Sequence, residues 1–132
     1  MKINLNADMG ESFGAYTMGE DERLIRSISS ANIACGFHGG DADVMHHTIE
    51  LAQINGVSIG AHPSFLDLQG FGRRQIQLSE RELYNCVVYQ IGALQGIAQT
   101  CGAKVTHVKP HGAMNNMACE NRDMATVIAK AV

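Results

Sequence analysis

The chain has 132 residues, 45% hydrophobic and 17% charged, with a formal net charge of −3 and no run of Lys or Arg. That length suits a single domain, residues 1–132, whose core can support a fold without disulfides, and the composition excludes a disordered chain. The charge leaves no electrostatic footprint for nucleic acid or an acidic membrane, and no apolar run is long enough to span a bilayer.

Lys2 to Ala7 alternates, with Ile3, Leu5 and Ala7 on one face, and is expected as the first strand, with Asp8 at its C-terminal end. Met9 to Glu20 carries three glycines and two aromatics without periodicity, a loop long enough to cover a site. A helix is expected from about Asp21 to Ser29, with Leu24, Ile25 and Ile28 on its buried stripe. Ser30 to Cys35 is short and apolar, as a strand buried on both faces of a parallel sheet would be. Asp41 is a good N-cap for a second helix running to about Asn55, with Val44, Met45, Ile49, Leu51 and Ala52 at helical spacing and Gly56 as its stop.

Val57 to Ala61 is expected as the third strand, followed by a long connection from His62 to Gln75 that exceeds what a strand-to-helix turn requires. Ser79 and Glu82 form a capping box opening the longest helix, which carries Leu83, Val87, Ile91, Leu94 and Ala98 and stops at Gly102. Val105 to Val108 makes a fourth strand, a loop is expected through about Glu120, and Asn121 caps a last helix with Met124, Ala125, Val127 and Ile128 inward. The alternation argues for an α/β fold with a parallel sheet. Four βα units would supply half of a closed eight-unit barrel, which typically needs about 250 residues. Cys35, Cys86, Cys101 and Cys119 lack C-x-x-C spacing and no signal peptide is evident, so they read as buried reduced thiols of a cytoplasmic protein.

Four polar clusters each follow an apolar run: Asn6 to Glu11, Cys35 to Asp41, Gly60 to Ser64, and Lys109 to Ala113. Spaced about one βα unit apart, they suggest one site fed by successive strand ends. Asp8 is costly after a buried strand unless paired, bound to a metal or acting as a base, and Asn6 and Glu11 make its surroundings unusually polar. Its alternative role is to cap backbone N–H groups of the loop. His38 lies between glycines at a strand-to-helix junction, and Pro63 holds the chain extended at His62.

Asp8, His38 and His62 together form a ligand set suited to a divalent transition metal, or else three hydrogen-bonded polar groups without one. Lys109 could pair with a substrate carboxylate or polarise a carbonyl, and His111 could shuttle protons. Arg73 and Arg74 would suit a carboxylate ligand, or form a solvated loop pair. His46, His47 and His107 read as structural or surface residues. No phosphate-binding G-x-x-x-x-G-K-[ST] loop or dinucleotide fingerprint is present, so any ATP would be bound mainly by other subunits.

The segments Leu5 to Gly14, Ser30 to His38, Gly60 to Pro63, Gly70 to Arg74 and His107 to Ala113 resemble the LamB/YcsF family, in the family's order and along the whole chain. The resemblance implies a TIM-like (β/α) barrel of the glycoside hydrolase/deacetylase type, here about its first four βα units. It also implies ATP-dependent opening of 5-oxo-L-proline to L-glutamate together with B and C subunits. Asp8, His38 and His62 would correspond to the Asp and two His that distant deacetylase relatives place on a metal, Lys109 and His111 lie in the family's Lys-Pro-His-Gly motif, and Asn6, Glu11, Arg73 and Arg74 would contact substrate. Family members continue through a second half of similar size. A half barrel leaves an open sheet edge, which is expected to be covered by self-association or by a partner, or to remain an aggregation hazard.

The first reading is thus a component of a multi-subunit enzyme that opens a cyclic amide such as 5-oxoproline. The second is a stand-alone metal-dependent amide or acetamido hydrolase using Asp8, His38 and His62. The third is an inactive partner-binding fragment.

Overall fold

The computed structural model describes residues 3–132. Four parallel strands, β1 (Asn6–Met9), β2 (Ser30–Ala34), β3 (Ser58–His62) and β4 (His107–Val108), lie side by side in chain order in one sheet. Helices α1 (Asp21–Leu24), α2 (Ala42–Ile54) and α3 (Glu80–Thr100) occupy the three crossovers, and α4 (Gly112–Glu120) and α5 (Arg122–Ala131) follow β4. Consecutive parallel neighbours joined by helical crossovers form the wall of a (β/α) barrel, so the expected α/β class holds.

The period of two divides the sheet into an apolar and a polar face. Met9, Ala31, Ile33, Ile59 and Ala61 pack against Met45, Ile49 and Ala52 of α2 and Leu94 and Ala98 of α3. Residues between them on the strands, Asn6, Asp8, Ser30, Asn32, Ser58, Gly60, His62 and His107, face the other way. A second apolar cluster joins Leu83 and Val87 of α3 to Phe65, Ala113, Met114, Val127 and Ile128, fixing α4 and α5 beside the first half of α3.

The helix caps fall where the sequence places them. Val44 N–H donates to Asp41 Oδ1 at 2.9 Å, and Met124 N–H donates to Asn121 Oδ1 at 3.0 Å. In the capping box, Ser79 N–H donates to Glu82 Oε2 at 2.8 Å and Glu82 N–H to Ser79 Oγ at 3.3 Å.

Several expectations are corrected. The first strand was expected over Lys2 to Ala7, of which Lys2 lies outside the described residues; β1 starts at Asn6 because Ile3 and Leu5, 70% and 58% exposed, meet no core. The helix expected to reach Ser29 leaves α-geometry after Leu24 and finishes as a 3-10 turn at Ile25–Ser27, burying Ile25. The fourth strand is two residues long. The segment expected as a loop through Glu120 is α4, which buries Ala113 and Met114. All four cysteines are free, but only Cys35 is buried and Cys119 is exposed. No helix among the described residues is long and apolar enough to cross a membrane.

Candidate functional site

The polar face is built in layers. Asn6, Ser30 and Ser58 are in register at its base, and Asp8, Asn32, Gly60 and His107 form the next row. Asn32 ties this row together, its Nδ2 donating to Asp8 Oδ1 at 3.0 Å and Asn6 Oδ1 at 2.8 Å. Its amide oxygen accepts from His107 Nε2 at 3.1 Å. The His107 ring reaches Asn32 across β3 only because Gly60 has no side chain: a Cβ there would lie 2.1 Å from His107 Nε2. Burial lowers the His107 pKa, which keeps the ring neutral in this row.

The strand ends carry the top layer. Asp8 Oδ1 accepts from Lys109 Nζ at 2.6 Å, and its Oδ2 lies 3.3 Å from His62 Nε2. Burial raises the Asp8 pKa, but the contacts with His62, Lys109 and Asn32 outweigh it and hold the carboxyl well below the usual carboxylate range. Asp8 is therefore ionised at neutral pH and acts as a fixed acceptor. Buried Cys35, beside His62, has its thiol pushed up to about 12 by burial and stays protonated.

Next to this pair, Glu11, His38, His62 and His111 each offer one ligand atom, all within 4.8 Å of one another. Glu11 comes from the loop after β1, His38 from the β2–α2 turn, His62 from the end of β3, and His111 from the N-cap of α4. His38 Nε2 donates to Glu11 Oε1 at 3.0 Å. The His38 and His111 rings stack with centroids 3.7 Å apart and planes 5° from parallel. Burial lowers the pKa of His38. Burial, followed by the neighbouring His38, lowers that of His111 to about 4.

Backbone carbonyls fix two tautomers, because a carbonyl oxygen can only accept. His62 Nδ1 meets the Lys109 carbonyl and His111 Nε2 meets the Phe71 carbonyl at 2.8 Å, so both nitrogens carry hydrogen. The remaining nitrogens, His62 Nε2 and His111 Nδ1, face each other at 3.0 Å. If both rings are neutral, this opposes two lone pairs, an arrangement that a shared proton or a bound cation relieves. Three imidazoles and a carboxylate fit a divalent transition metal, and rings anchored by carbonyls on their far nitrogens are typical of ligating histidines. His38 Nδ1 is buried without a partner.

A cleft of about 500 Å³ adjoins the cluster, with Glu11 and His38 on one wall and Phe13, Tyr16, Met18, Leu68 and Phe71 around it. The two long loops of the sequence, after β1 and after β3, supply all of these residues except His38. Gln90, buried in α3, holds the turn that follows His62: its Oε1 accepts from Ser64 N–H at 2.9 Å and its Nε2 donates to the Ser64 carbonyl at 2.8 Å.

The structure thus gathers Asn6, Asp8, Glu11, His38, His62, Lys109 and His111 on one polar face. It groups Glu11 and His111 with His38 and His62, and sets Asp8 beside them. Arg73 is exposed, and the Arg74 guanidinium is engaged by the buried carboxylate of Asp67. Sequence reasoning missed Asn32, Gln90 and Phe71, and read His107 as structural or surface. The signals were a polar residue in the middle of an apolar strand, a glutamine within the apolar stripe of a helix, and a histidine two residues before Lys109 on the same strand face.

The model of the LamB/YcsF family matches residues 3–132. Over all 132 residues the chain is 57% identical to the 5-oxoprolinase A subunit of Azoarcus sp. strain BH72, covering 52% of that protein. It is 52% identical over the same length to the 5-oxoprolinase A subunit of Staphylococcus aureus strain bovine RF122 / ET3-1, covering 53% of it. The crystal structure of the lactam utilization protein from Thermus thermophilus superposes with a TM-score of 0.97 at 50% identity, over 99% of this chain and 53% of that one. The chain spans about half the length of these relatives. With the family's model matched from residue 3 to residue 132, the chain belongs to the LamB/YcsF family.

Proposed function

We propose that this chain is part of an ATP-dependent 5-oxoprolinase, which opens 5-oxo-L-proline to L-glutamate together with B and C subunits that bind most of the ATP. The observation that carries the reading is the strand-end cluster of Glu11, His38, His62 and His111 beside the Asp8–Lys109 pair, in a chain whose relatives bear the name of the 5-oxoprolinase A subunit. Four free cysteines suit a reducing compartment, and the reading places the chain in the cytoplasm.

An unactivated lactam is a poor electrophile, which gives ATP coupling a chemical purpose: activation of the ring carbonyl. In this scheme the ring lies in the cleft between Phe13, Tyr16 and Phe71. Lys109 holds the substrate carboxylate or the developing oxyanion. With the γ-phosphoryl group of ATP transferred to the ring oxygen and ADP released, the water oxygen bonds to the carbonyl carbon, the carbon–nitrogen bond breaks as the leaving amine gains a proton, and a second water releases phosphate from the resulting acyl phosphate to leave glutamate. The His62–His111 pair, 3.0 Å apart, takes the proton from water and delivers it to nitrogen. Ionised Asp8, 3.3 Å from His62 Nε2, stabilises the positive charge the pair gains with the proton. Arg73 and Asn6 are candidates for further substrate contacts.

A second reading, a metal-dependent amide hydrolase, is favoured by the facing nitrogens of His62 and His111. Glu11, His38, His62 and His111 would hold a divalent ion, with Asp8 nearby, and the ion would supply Lewis-acid polarisation of a carbonyl. In either reading, among the described residues β1 and β4 each pair with a single neighbour and leave an edge free. We propose that a partner or a second copy covers these edges, and a stable, well-behaved monomer of this chain by light scattering would count against it.

ATP-dependent glutamate release from 5-oxoproline, measured for this chain mixed with B and C subunits beside a full-length relative as control, tests the first reading. Release requiring the chain, ATP and both partners is expected. Amide hydrolysis by the chain alone with a divalent metal would favour the second reading.

A further inference from the structure

Among the described residues, Phe71 is the non-glycine residue with a left-handed backbone, at φ +53°. Such a conformation costs an L-residue on the order of 1–3 kcal/mol and persists only where its surroundings impose it. Asp67 imposes it here. Its carboxylate accepts the Gly70 N–H at 2.9 Å and the Arg74 N–H at 3.3 Å and engages the Arg74 guanidinium, while its carbonyl accepts the Gly72 N–H at 2.9 Å. The far side of the loop is pinned to α4, whose Ala113 N–H donates to the Gly72 carbonyl at 2.9 Å. Gly72 has no room for a side chain, since a Cβ would lie 2.2 Å from Ser64 Oγ and 2.9 Å from His111 Cδ2.

A glycine at position 71 would adopt this backbone without strain, so the phenylalanine needs a reason. Its ring meets His38 and His111 edge-on, at centroid distances of 5.3 Å and 5.0 Å. Its carbonyl accepts from His111 Nε2 at 2.8 Å. Both halves of the residue therefore act on the same histidine.

We infer that Phe71 is the positioning residue of the cluster: its left-handed backbone aims the carbonyl at His111 Nε2, commits His111 to the Nε2–H tautomer, and leaves Nδ1 facing His62 Nε2 for a shared cation. Lys109 does the same for His62, its carbonyl holding hydrogen on Nδ1. The pair is thereby preset on both sides before any ligand arrives. This concerns the tautomers and not the reaction, so it stands or falls apart from the proposed substrate.

Long-range proton–nitrogen correlation spectra of the metal-free chain, at a pH where imidazoles are neutral, read the tautomers directly, and calorimetry with Zn²⁺ alone reads their consequence. Wild type is expected to show His111 as Nε2–H. Phe71→Gly, which keeps the backbone and removes the ring, is expected to retain that tautomer. Phe71→Pro, whose ring fixes φ near −65°, is expected to lose it and to weaken Zn²⁺ binding by about 10- to 100-fold. Asp67→Asn loosens the same loop from outside and is expected to mix the tautomers, which covers the case where Phe71→Pro fails to fold. The inference is overturned by Nδ1–H on His111 in wild type. It is overturned equally if Phe71→Pro folds, or Asp67→Asn alone is measurable, with tautomer and Zn²⁺ affinity unchanged.

Discussion

Replacing Gln90 with Leu changes little volume and removes both partners of a buried peptide group. Gln90 and Ser64 are each fully buried. The glutamine amide accepts from Ser64 N–H at 2.9 Å and donates to the Ser64 carbonyl at 2.8 Å and the Cys86 carbonyl at 3.0 Å. With Leu at position 90, the Ser64 N–H loses its partner and its carbonyl keeps only the weak Cys86 Sγ contact at 3.6 Å. An unsatisfied buried polar group costs about 1–3 kcal/mol, so the two together cost roughly 2–6 kcal/mol. At a urea dependence of about 2 kcal/mol per molar, the unfolding midpoint falls by about 1–3 M. Urea titration followed by circular dichroism measures this, with Gln99→Leu at an exposed position of α3 as a control expected within about 0.5 kcal/mol of wild type. A Gln90→Leu midpoint indistinguishable from that control would refute the claim that this amide secures the turn beyond His62.

Gly60→Ala drives a Cβ to within 2.1 Å of His107 Nε2, so it should cost about 1–3 kcal/mol by overpacking and abolish the His107–Asn32 hydrogen bond, visible as a shifted Asn32 amide resonance. Stability of the metal-free chain should fall as pH drops from about 6.5 towards 4, because the unfolded His111 takes up a proton near its ordinary pKa while the folded one, lowered to about 4 by burial, does not. The unfolded state binds more protons throughout that window, so stability rises with pH across it, by up to about 3 kcal/mol; pH-dependent urea midpoints should show this limb in wild type and a flatter one in His111→Gln. Asn121→Ala removes the acceptor of the Met124 N–H and should cost about 0.5–2 kcal/mol in thermal unfolding.

The order of strands and helices was legible because each apolar run is followed by a glycine or proline cluster and each long helix opens on a capping residue. Ser79 with Glu82, and Asp41 and Asn121, state their caps in the sequence. The ends of the sheet were less legible. Ile3 and Leu5 alternate like strand residues, but period two cannot tell whether a core lies beneath them. Helix α4 opens on Gly112 and contains Asn115 and Asn116, residues that favour turns, and only the inward spacing of Ala113, Met114 and Met117 betrays it.

The site was legible as residues at strand ends and not as contacts. Asp8, His38, His62, Lys109 and His111 announce themselves by following apolar runs. That Glu11 and His111 share the cluster with His38 and His62, while Asp8 turns to Lys109, depends on loop geometry. Asn32, Gln90 and the Phe71 carbonyl act through hydrogen bonds to distant segments, and backbone carbonyls carry no residue-type signal.

Turnover of 5-oxoproline by the chain assembled with B and C subunits and ATP, with His62→Gln set beside Gln99→Leu, tests most directly whether the strand-end cluster performs the reaction. His62→Gln should lower glutamate release by about 10²- to 10⁴-fold, with Gln99→Leu at the wild-type rate. Undiminished release by His62→Gln would contradict the assignment of catalysis to this cluster.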